Sequence, residues 1–306
     1  MNPPFGHMVL IVNERAGGGK TGRALGEIRS QLWAREMDYA LEVTRGRGHA
    51  TELATAALED GVRLLVAVGG DGTVHEVVNG MVHADRAVSE GAALGVVASG
   101  TRCDFIRTFG IPSMPGHAVA HLDGHESFPI DLGKVTFTKE GKKAFRYFAN
   151  VAEAGLGGVV ARRAGRLPAW LGPTIYPLAF WSTLARHRST TVTVDLIDRS
   201  YQGPMGNLVV ANGQFFGGGM KVAPKAAPTD GLLDIQVQHL ATREALAVFP
   251  KVYKGEHVPH PDILEAKRVR VSIEADRPLL IEADGEILGT TPAHFEILKD
   301  IIHLKI

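Results

Sequence analysis

Short apolar runs alternate with helix-like periodicity through the first 132 residues. The runs at 7–12, 64–68 and 93–98 are nearly free of polar side chains, whereas 39–44 alternates apolar and polar residues. The intervening segments 20–36, 49–58 and 73–81 have the spacing or alanine content of helices. Apolar strands separated by helices are typical of a parallel sheet covered on both faces. The pattern therefore predicts an α/β domain at residues 1–132, with ligands bound beyond the carboxyl ends of its strands.

The pattern changes after Asp131, where strands dominate and few helical stretches remain. The predicted strands are 134–138, 145–151, 190–197, 208–211, 233–239, 268–273 and 279–281, and the helical stretches lie within 155–187 and at 241–250. Closely spaced strands with turn residues between them indicate an antiparallel, sandwich-like second domain at 133–306. The sequence leaves open whether the last residues, about 300–306, return to the first domain.

Composition narrows the class of protein. The chain has 306 residues, enough for two domains at roughly 100–200 residues each. Lys plus Arg and Asp plus Glu both number 33, which argues against a protein that coats nucleic acid. The single cysteine, Cys103, cannot form an internal disulfide, and no signal-peptide pattern opens the chain. We therefore expect a cytoplasmic protein.

The strongest local signal is the run Gly69-Gly70-Asp71-Gly72-Thr73, which follows a predicted strand and opens a predicted helix. Glycines let the backbone approach a phosphate, and the amides of a helix N-terminus bind anions. Asp71 would repel a bare phosphate, so it is expected to meet Mg²⁺ or to accept a proton from a hydroxyl. The alternative is a tight turn in which Asp71 caps a helix.

Two further glycine-containing loops follow predicted strands. Residues 13–21 end in Gly-Lys-Thr, but Glu14 stands where a P-loop requires glycine, so only a weaker phosphate-facing loop is predicted. A flexible linker is the alternative there. Residues 98–107 place Gly100-Thr101 at a helix start, and Thr44 ends the second strand. Four strand ends thus offer phosphate-binding groups to one edge of the sheet.

Five ordered motifs together resemble the diacylglycerol kinase catalytic domain family, which includes bacterial lipid kinases and the sphingosine and ceramide kinases. The motifs are Gly48-His49-Ala50, Gly69–Thr73 with Glu76–Gly80, Gly100-Thr101 with Asp104-Phe105, Asp230–Asp234, and Asp284-Gly285-Glu286. The resemblance implies a NAD-kinase-like N-terminal α/β nucleotide domain followed by an antiparallel β-sandwich lipid-binding domain, with the active site between them.

The resemblance also implies roles for individual residues. Glu286 would be the proton acceptor, supported by Asp284 and Asp71. A structural Mg²⁺ would be held by Asp230 with the carbonyls of Ala227 and Leu232. ATP would be bound by Asn13, Gly17, Thr44, Gly69, Gly70, Asp71, Gly72, Thr73, Glu76, Gly100, Thr101 and Asp104. The chain departs from the family where Cys103 replaces a common Asn, because a thiol is a weaker hydrogen-bond partner than an amide.

The sequence therefore predicts an ATP- and Mg²⁺-dependent lipid kinase that phosphorylates a lipid hydroxyl at the inner membrane surface. Diacylglycerol, a sphingoid base or a related lipid would be the acceptor, and the choice among them is open. One alternative is a NAD-kinase-like enzyme, although its Asn-Glu pair and Ser/Thr-Pro-Thr-Gly-Ser run are missing. Another is a silent nucleotide-binding regulator, which only Cys103 supports. A homodimer is also left open.

The most apolar stretch, 167–185, carries no charge over 19 residues and contains two of the three tryptophans. Its prolines and glycine would break a membrane-spanning helix. Arginines flank it on both sides, as expected near anionic lipid. Core-packed helices and a lid that dips into the bilayer surface are both compatible with this pattern.

Overall fold

The computed structural model describes residues 6–98, 103–113, 117–184 and 188–306. The chain forms two compact units. Unit 1 comprises Met1–Asp131 and Lys299–Ile306, and unit 2 comprises Leu132–Leu298.

Unit 1 is built on a parallel sheet. In chain order its elements are β1 (Met8–Val12), α1 (Ala16–Ala34), β2 (Tyr39–Val43), α2 (His49–Glu59), β3 (Leu64–Gly69), α3 (Asp71–Met81), β4 (Val82–His83), β5 (Arg86–Ala87), β6 (Ala93–Ala98), α4 (Asp104–Phe109) and a 3-10 turn at Ala120–Leu122. The strands β1, β3 and β6 are buried along their whole length, as expected for strands covered on both faces. Ile28 and Leu32 of α1 pack on one face of this core.

Unit 2 is built on antiparallel strands. Its elements are β7 (Ser127–Lys139), β8 (Lys142–Phe148), β9 (Val151–Gly155), α5 (Leu156–Ala164), a 3-10 segment at Ala169–Thr174, α6 (Ile175–Leu184), β10 (Thr190–Asp195), β11 (Ser200–Met205), β12 (Asn207–Ala211), β13 (Leu233–Gln238), α7 (Thr242–Val252), β14 (Ile263–Arg268), β15 (Arg270–Ala275), β16 (Leu280–Ala283) and β17 (Glu286–Lys305). One run of strands has the order β14-β13-β12-β9-β16-β17, and β10 pairs with both β11 and β15. Phe148, Leu208 and Phe295 lie in the core that these strands enclose.

The last strand serves both units. Arg270 of β15 pairs with Glu296 of β17 in unit 2. His303 and Leu304 then pair in parallel with Ala93 and Leu94 of β6, so the end of β17 joins the sheet of unit 1. The sequence had left this return open.

The apolar segment before β10 forms helices that pack on one side and are exposed on the other. Ile175 and Ala179 of α6 are buried, and Phe180 stacks on Phe249 of α7 with ring centroids 4.0 Å apart. Leu178 and Trp181 are 47% and 36% exposed. Within the described residues, none of the helices combines the length and the apolar character needed to cross a bilayer.

Several predicted strands differ from those of the structure. The predicted strand 145–151 is two strands, because the backbone N–H groups of Ala149 and Asn150 bond to the carboxylate of Asp284 and leave the ladder. The predicted strand 268–273 is likewise divided, at Val269. Strands β4, β5 and β11, and most of β14 and β17, were not predicted. Regular helix in α1 follows Gly19, because Gly17 to Gly19 have φ between +62° and +80°.

Candidate active site

The carboxyl edge of the unit 1 sheet collects three of the predicted nucleotide loops. Asn13 follows β1, Thr44 follows β2 and Gly70 follows β3, and these strands are parallel neighbours. The backbone N–H of Asn13 donates to Val68 O at 3.0 Å, and that of Thr44 donates to Val12 O at 2.9 Å. Gly100 and Thr101 lie outside the described residues.

The first loop turns into α1 through a left-handed stretch. Gly17 and Gly18 have φ of +62° and +69°, a conformation that side chains with a Cβ rarely adopt, and both residues are exposed. Their backbone is therefore accessible to a ligand at the end of β1.

Close approach of a side chain fixes the second loop. A Cβ at position 69 would lie 2.3 Å from Oγ1 of Thr73, so this position requires glycine. The carbonyl of Gly70 accepts the N–H groups of Thr73 and Val74 at 2.9 and 3.1 Å. In the described part of the chain the buried hydroxyl of Thr73 has no hydrogen-bond partner. A phosphate oxygen at the start of α3 would satisfy it, which fits the nucleotide prediction.

Asp71 caps a neighbouring helix. Its Oδ2 accepts the N–H of Asp104, and its Oδ1 accepts the N–H of Phe105, both at 3.0 Å. Those amides begin α4, so the carboxylate compensates the positive end of that helix. Asp71 thus caps α4, not the helix that it opens, and it ties the start of α4 to the second loop.

Glu76 has a corresponding role toward α2. Its two carboxylate oxygens accept the N–H groups of Gly48 and Ala50 at 2.9 and 3.1 Å. Gly48 has φ of +83°, so the entry to α2 is a glycine turn closed by a carboxylate from α3. The two acids of α3 thereby hold the start of the preceding helix, α2, and the start of the following helix, α4.

Cys103 keeps a contact to Asp71 despite replacing the common Asn. Its Sγ lies 3.6 Å from Oδ1 of Asp71 and donates to it. Burial raises the pKa of the Cys103 thiol well above its ordinary value, and the negative charge of Asp71 raises it further. Asp104 is buried, and its Oδ1 lies 3.4 Å from Nε of Arg107 on the same helix.

In unit 2, Asp284 and Gly285 form the two-residue turn between β16 and β17. Their φ angles are +49° and +90°, as in the type I′ hairpin turns that favour Asp-Gly. The Asp284 carboxylate accepts the N–H groups of Ala149, Asn150 and Val151 at 2.9, 3.0 and 3.1 Å. Asp284 thus anchors the turn that presents Glu286, which is half-buried at the start of β17.

Two buried acids that sequence reasoning missed lie beside this turn. Glu153 and Glu282 are cross-strand partners on β9 and β16. Burial raises the pKa of Glu153 to about 7, partly offset by the amide of Asn207, which donates to its Oε1 at 3.0 Å. Burial and the charge of Glu153 also raise the pKa of Glu282, which accepts the N–H of Gly285. A single Glu within each of two apolar runs was the available sequence signal.

Glu153 faces an apolar cavity of about 100 Å³ in unit 2. Its lining includes Leu156, Val160, Tyr176, Phe180, Phe216 and Phe249, with Asn207 and His257 as further polar groups. A Cβ at position 157 would lie 1.9 Å from Oε2 of Glu153, so Gly157 makes room for this carboxyl group. An apolar cavity with a few polar groups suits an amphiphilic ligand.

In the loop predicted to hold magnesium, the carboxylate of Asp230 is paired with a lysine. Oδ2 of Asp230 lies 2.9 Å from Nζ of Lys267, and Oδ1 accepts the N–H of Leu232 at 3.0 Å. The carbonyl of Ala227 already accepts two N–H groups, at 2.7 and 3.2 Å. Lys267 also contacts Asp234, so one ammonium is paired with both carboxylates. Within the described chain, no cluster of three or more His, Cys, Asp or Glu side chains could hold a metal ion.

Comparison with known proteins identifies the class. Residues 7–135 match the diacylglycerol kinase catalytic domain, and residues 150–305 match the YegS C-terminal NAD kinase beta sandwich-like domain. The chain therefore belongs to the diacylglycerol kinase family, and it is a lipid kinase. The family and the fold class predicted from the sequence are both confirmed.

Individual relatives support this assignment over nearly the whole chain. The diacylglycerol kinase of Bacillus subtilis (strain 168) is 29% identical over 96% of this chain and 94% of its own. A probable lipid kinase YegS-like from Xanthomonas oryzae pv. oryzae is 31% identical over 95% of this chain and 92% of its own. A crystal structure from Bacillus anthracis, assigned to the diacylglycerol kinases, is similar with a TM-score of 0.77 and 26% identity, over 98% and 96% of the two chains.

Proposed function

We propose that this lipid kinase transfers the γ-phosphoryl group of ATP to a hydroxyl group of diacylglycerol or a related lipid. The hydroxyl oxygen attacks the γ-phosphorus, the bond from that phosphorus to the bridging oxygen breaks, and ADP leaves. Glu286 accepts the hydroxyl proton. Phosphoryl transfer depends mainly on positioning and charge neutralisation, which rigid loops and fixed carboxylates supply.

The observation that carries the proposal is the anchoring of the Asp284-Gly285 turn. Three N–H bonds to Asp284 and one to Glu282 hold this turn, so the position of Glu286 is fixed before substrate arrives. A proton acceptor is effective only when it is held within hydrogen-bond reach of the hydroxyl. Asp284 therefore acts as a positioning residue, and Glu286 as the catalytic residue.

Other groups of the chain would bind the ATP phosphates, Mg²⁺ and the lipid. The loops at Asn13, Gly17, Thr44 and Gly69–Thr73 would bind the ATP phosphates through backbone amides and the Thr73 hydroxyl. When bound to these phosphates, Mg²⁺ would neutralise their charge; it commonly retains water and needs few protein ligands. The apolar cavity beside Glu153 would receive the lipid, which the enzyme would meet at the inner membrane surface.

Glu286→Gln tests the proposal. We expect the rate on diacylglycerol-containing vesicles to fall by about two to four orders of magnitude, because the proton acceptor is lost. Affinity for ATP, measured by calorimetry, should stay unchanged. The exposed Glu274→Gln is the matched control and should retain the rate. An equal loss of ATP affinity would instead assign Glu286 to nucleotide binding. In a separate experiment, a total lipid extract is phosphorylated and mass spectrometry of the product identifies the acceptor lipid.

A further inference from the structure

Unit 2 contains a second cavity whose lining is strongly basic. Its volume is about 350 Å³, and among the residues that the structure describes its lining consists of Val159, Thr183 and five arginines: Arg162, Arg163, Arg166, Arg188 and Arg277. These arginines come from α5 and the turn after it, from the segment before β10 and from the turn before β16. The chain as a whole has no net charge, so this concentration is local.

The described part of the chain does not neutralise the positive charge of this cavity. Within the described residues, no carboxylate belongs to its lining and none of the five arginines forms an ion pair. Arg163 donates from Nη1 to Oγ1 of Thr183 at 3.3 Å. Arg277 donates from Nη2 to Oγ1 of Thr190 at 2.8 Å. Neutral oxygens thus orient two guanidinium groups without cancelling their charge.

Helix capping explains only part of this arrangement. Arg162 and Arg163 lie in the last turn of α5, where positive side chains offset the helix dipole. Arg188 and Arg277 belong to other segments, and the dipole gives no reason for them to share the same cavity. Because like charges repel each other, an arrangement of this kind is favoured when an anion joins it.

We propose that this cavity binds a phosphate group, supplied either by a phospholipid headgroup or by a phosphate in solution. The planar guanidinium group forms paired hydrogen bonds to phosphate oxygens, and arginine is preferred over lysine for such contacts. None of its lining residues is among the groups to which the kinase reaction is assigned. Its occupancy would link the protein to anionic lipid or to phosphate concentration.

The test compares the wild type with a double variant that carries both Arg162→Gln and Arg166→Gln. Binding is measured to inorganic phosphate by calorimetry, and to phosphatidylcholine vesicles with and without phosphatidylglycerol by sedimentation. We expect affinity in at least one arm to fall about tenfold or more, since the variant loses charge-assisted hydrogen bonds to the phosphate group. Loss in the phosphate arm supports a soluble anion, and loss confined to phosphatidylglycerol vesicles supports a headgroup.

Two control variants separate a built site from general positive charge. The double variant Arg243→Gln with Arg270→Gln removes the same charge from exposed positions outside the cavity and should bind as the wild type does. The double variant Arg162→Lys with Arg166→Lys keeps the charge but removes the planar group, and it should bind more weakly than the wild type. Equal loss in the control at Arg243 and Arg270, or unchanged binding in both arms for the cavity variant, would overturn the proposal. Melting temperatures of all variants establish that each is folded.

Discussion

At the scale of single residues, the acids of the predicted site mainly hold backbone. Asp71, Glu76 and Asp284 each accept two or three main-chain N–H groups, and all of these donors lie in other segments of the chain. Carboxylates that accept backbone N–H groups form strong, charge-assisted bonds. These side chains therefore build the loops on which the proposed chemistry depends.

Asp71→Asn tests this reading for the second loop. Asparagine offers one acceptor oxygen where aspartate offers two, so one N–H at the start of α4 loses its partner. We expect the free energy of unfolding to fall by about 1–2 kcal/mol, as for the loss of a helix cap. The kinase rate should fall at least tenfold, because the third loop is no longer held. Asp60→Asn, at an exposed helix end, is the control, and a normal rate for Asp71→Asn would contradict the role assigned here.

Lys267→Ala tests whether an ammonium replaces the expected metal. The wild-type melting temperature should not respond to Mg²⁺ or EDTA in the absence of nucleotide. The variant should be less stable by about 1 kcal/mol, because Asp230 and Asp234 lose a shared partner. It should also regain stability with Mg²⁺, which the freed carboxylates could bind. Lys225→Ala, which removes a pair to Glu265, should show no such response. A wild-type rise with Mg²⁺ would favour the metal instead.

At the scale of elements, sequence patterns predicted what is encoded locally. Strands β1, β3 and β6 are continuous apolar runs, and α2 and α3 begin at glycine turns, so their periodicity and their breakers lie within a few residues. The break between β8 and β9 was not predictable in this way, because Asp284 causes it from more than 130 positions away. The hydrogen-bond partners of Glu76 and Lys267 lie 28 and 37 positions away in the chain, also beyond the range of a local pattern. The glycines and acids of the predicted loops could therefore be found from the sequence, but their hydrogen-bond partners could not.

Helix α6 allows a test of the membrane-lid interpretation. Leu178 is 47% exposed on this helix, whereas Trp181 also packs against Phe180 and Phe249. Leu178→Ser should therefore leave the melting temperature nearly unchanged. If α6 enters the bilayer surface, vesicle binding should weaken roughly tenfold, since burying a leucine side chain contributes about 1.5–3 kcal/mol. Val269→Ser, at a 49% exposed position between β14 and β15, is the control. Equal vesicle binding by the two variants would favour core-packed helices without membrane contact.

At the scale of the whole molecule, each unit combines an apolar core with a few buried ionisable groups. In unit 1, the buried Lys305 donates to the carbonyls of His121, Glu126 and Ile306 at 2.7, 3.1 and 2.9 Å. In unit 2, Glu153 and Glu282 lie side by side in adjacent strands. Burial of carboxyl groups disfavours their charged form, so the stability of unit 2 is linked to pH.

Glu153→Gln tests this linkage. Because the pKa of Glu153 is raised from 4.5 to about 7, the folded protein keeps a proton that the unfolded chain releases between these two values. Stability should therefore decrease as the pH rises through that window, by at most about 1.4 kcal/mol per pH unit for one proton. Glutamine mimics the protonated carboxyl group and can still accept the Asn207 hydrogen bond. Chemical unfolding at pH 5 and pH 8 measures the free energy of unfolding. This free energy should fall less between the two pH values for the variant than for the wild type, and at pH 8 the variant should be the more stable of the two. The exposed Glu274→Gln should follow the wild type, and parallel curves for all three proteins would show that Glu153 is already ionised in the folded state.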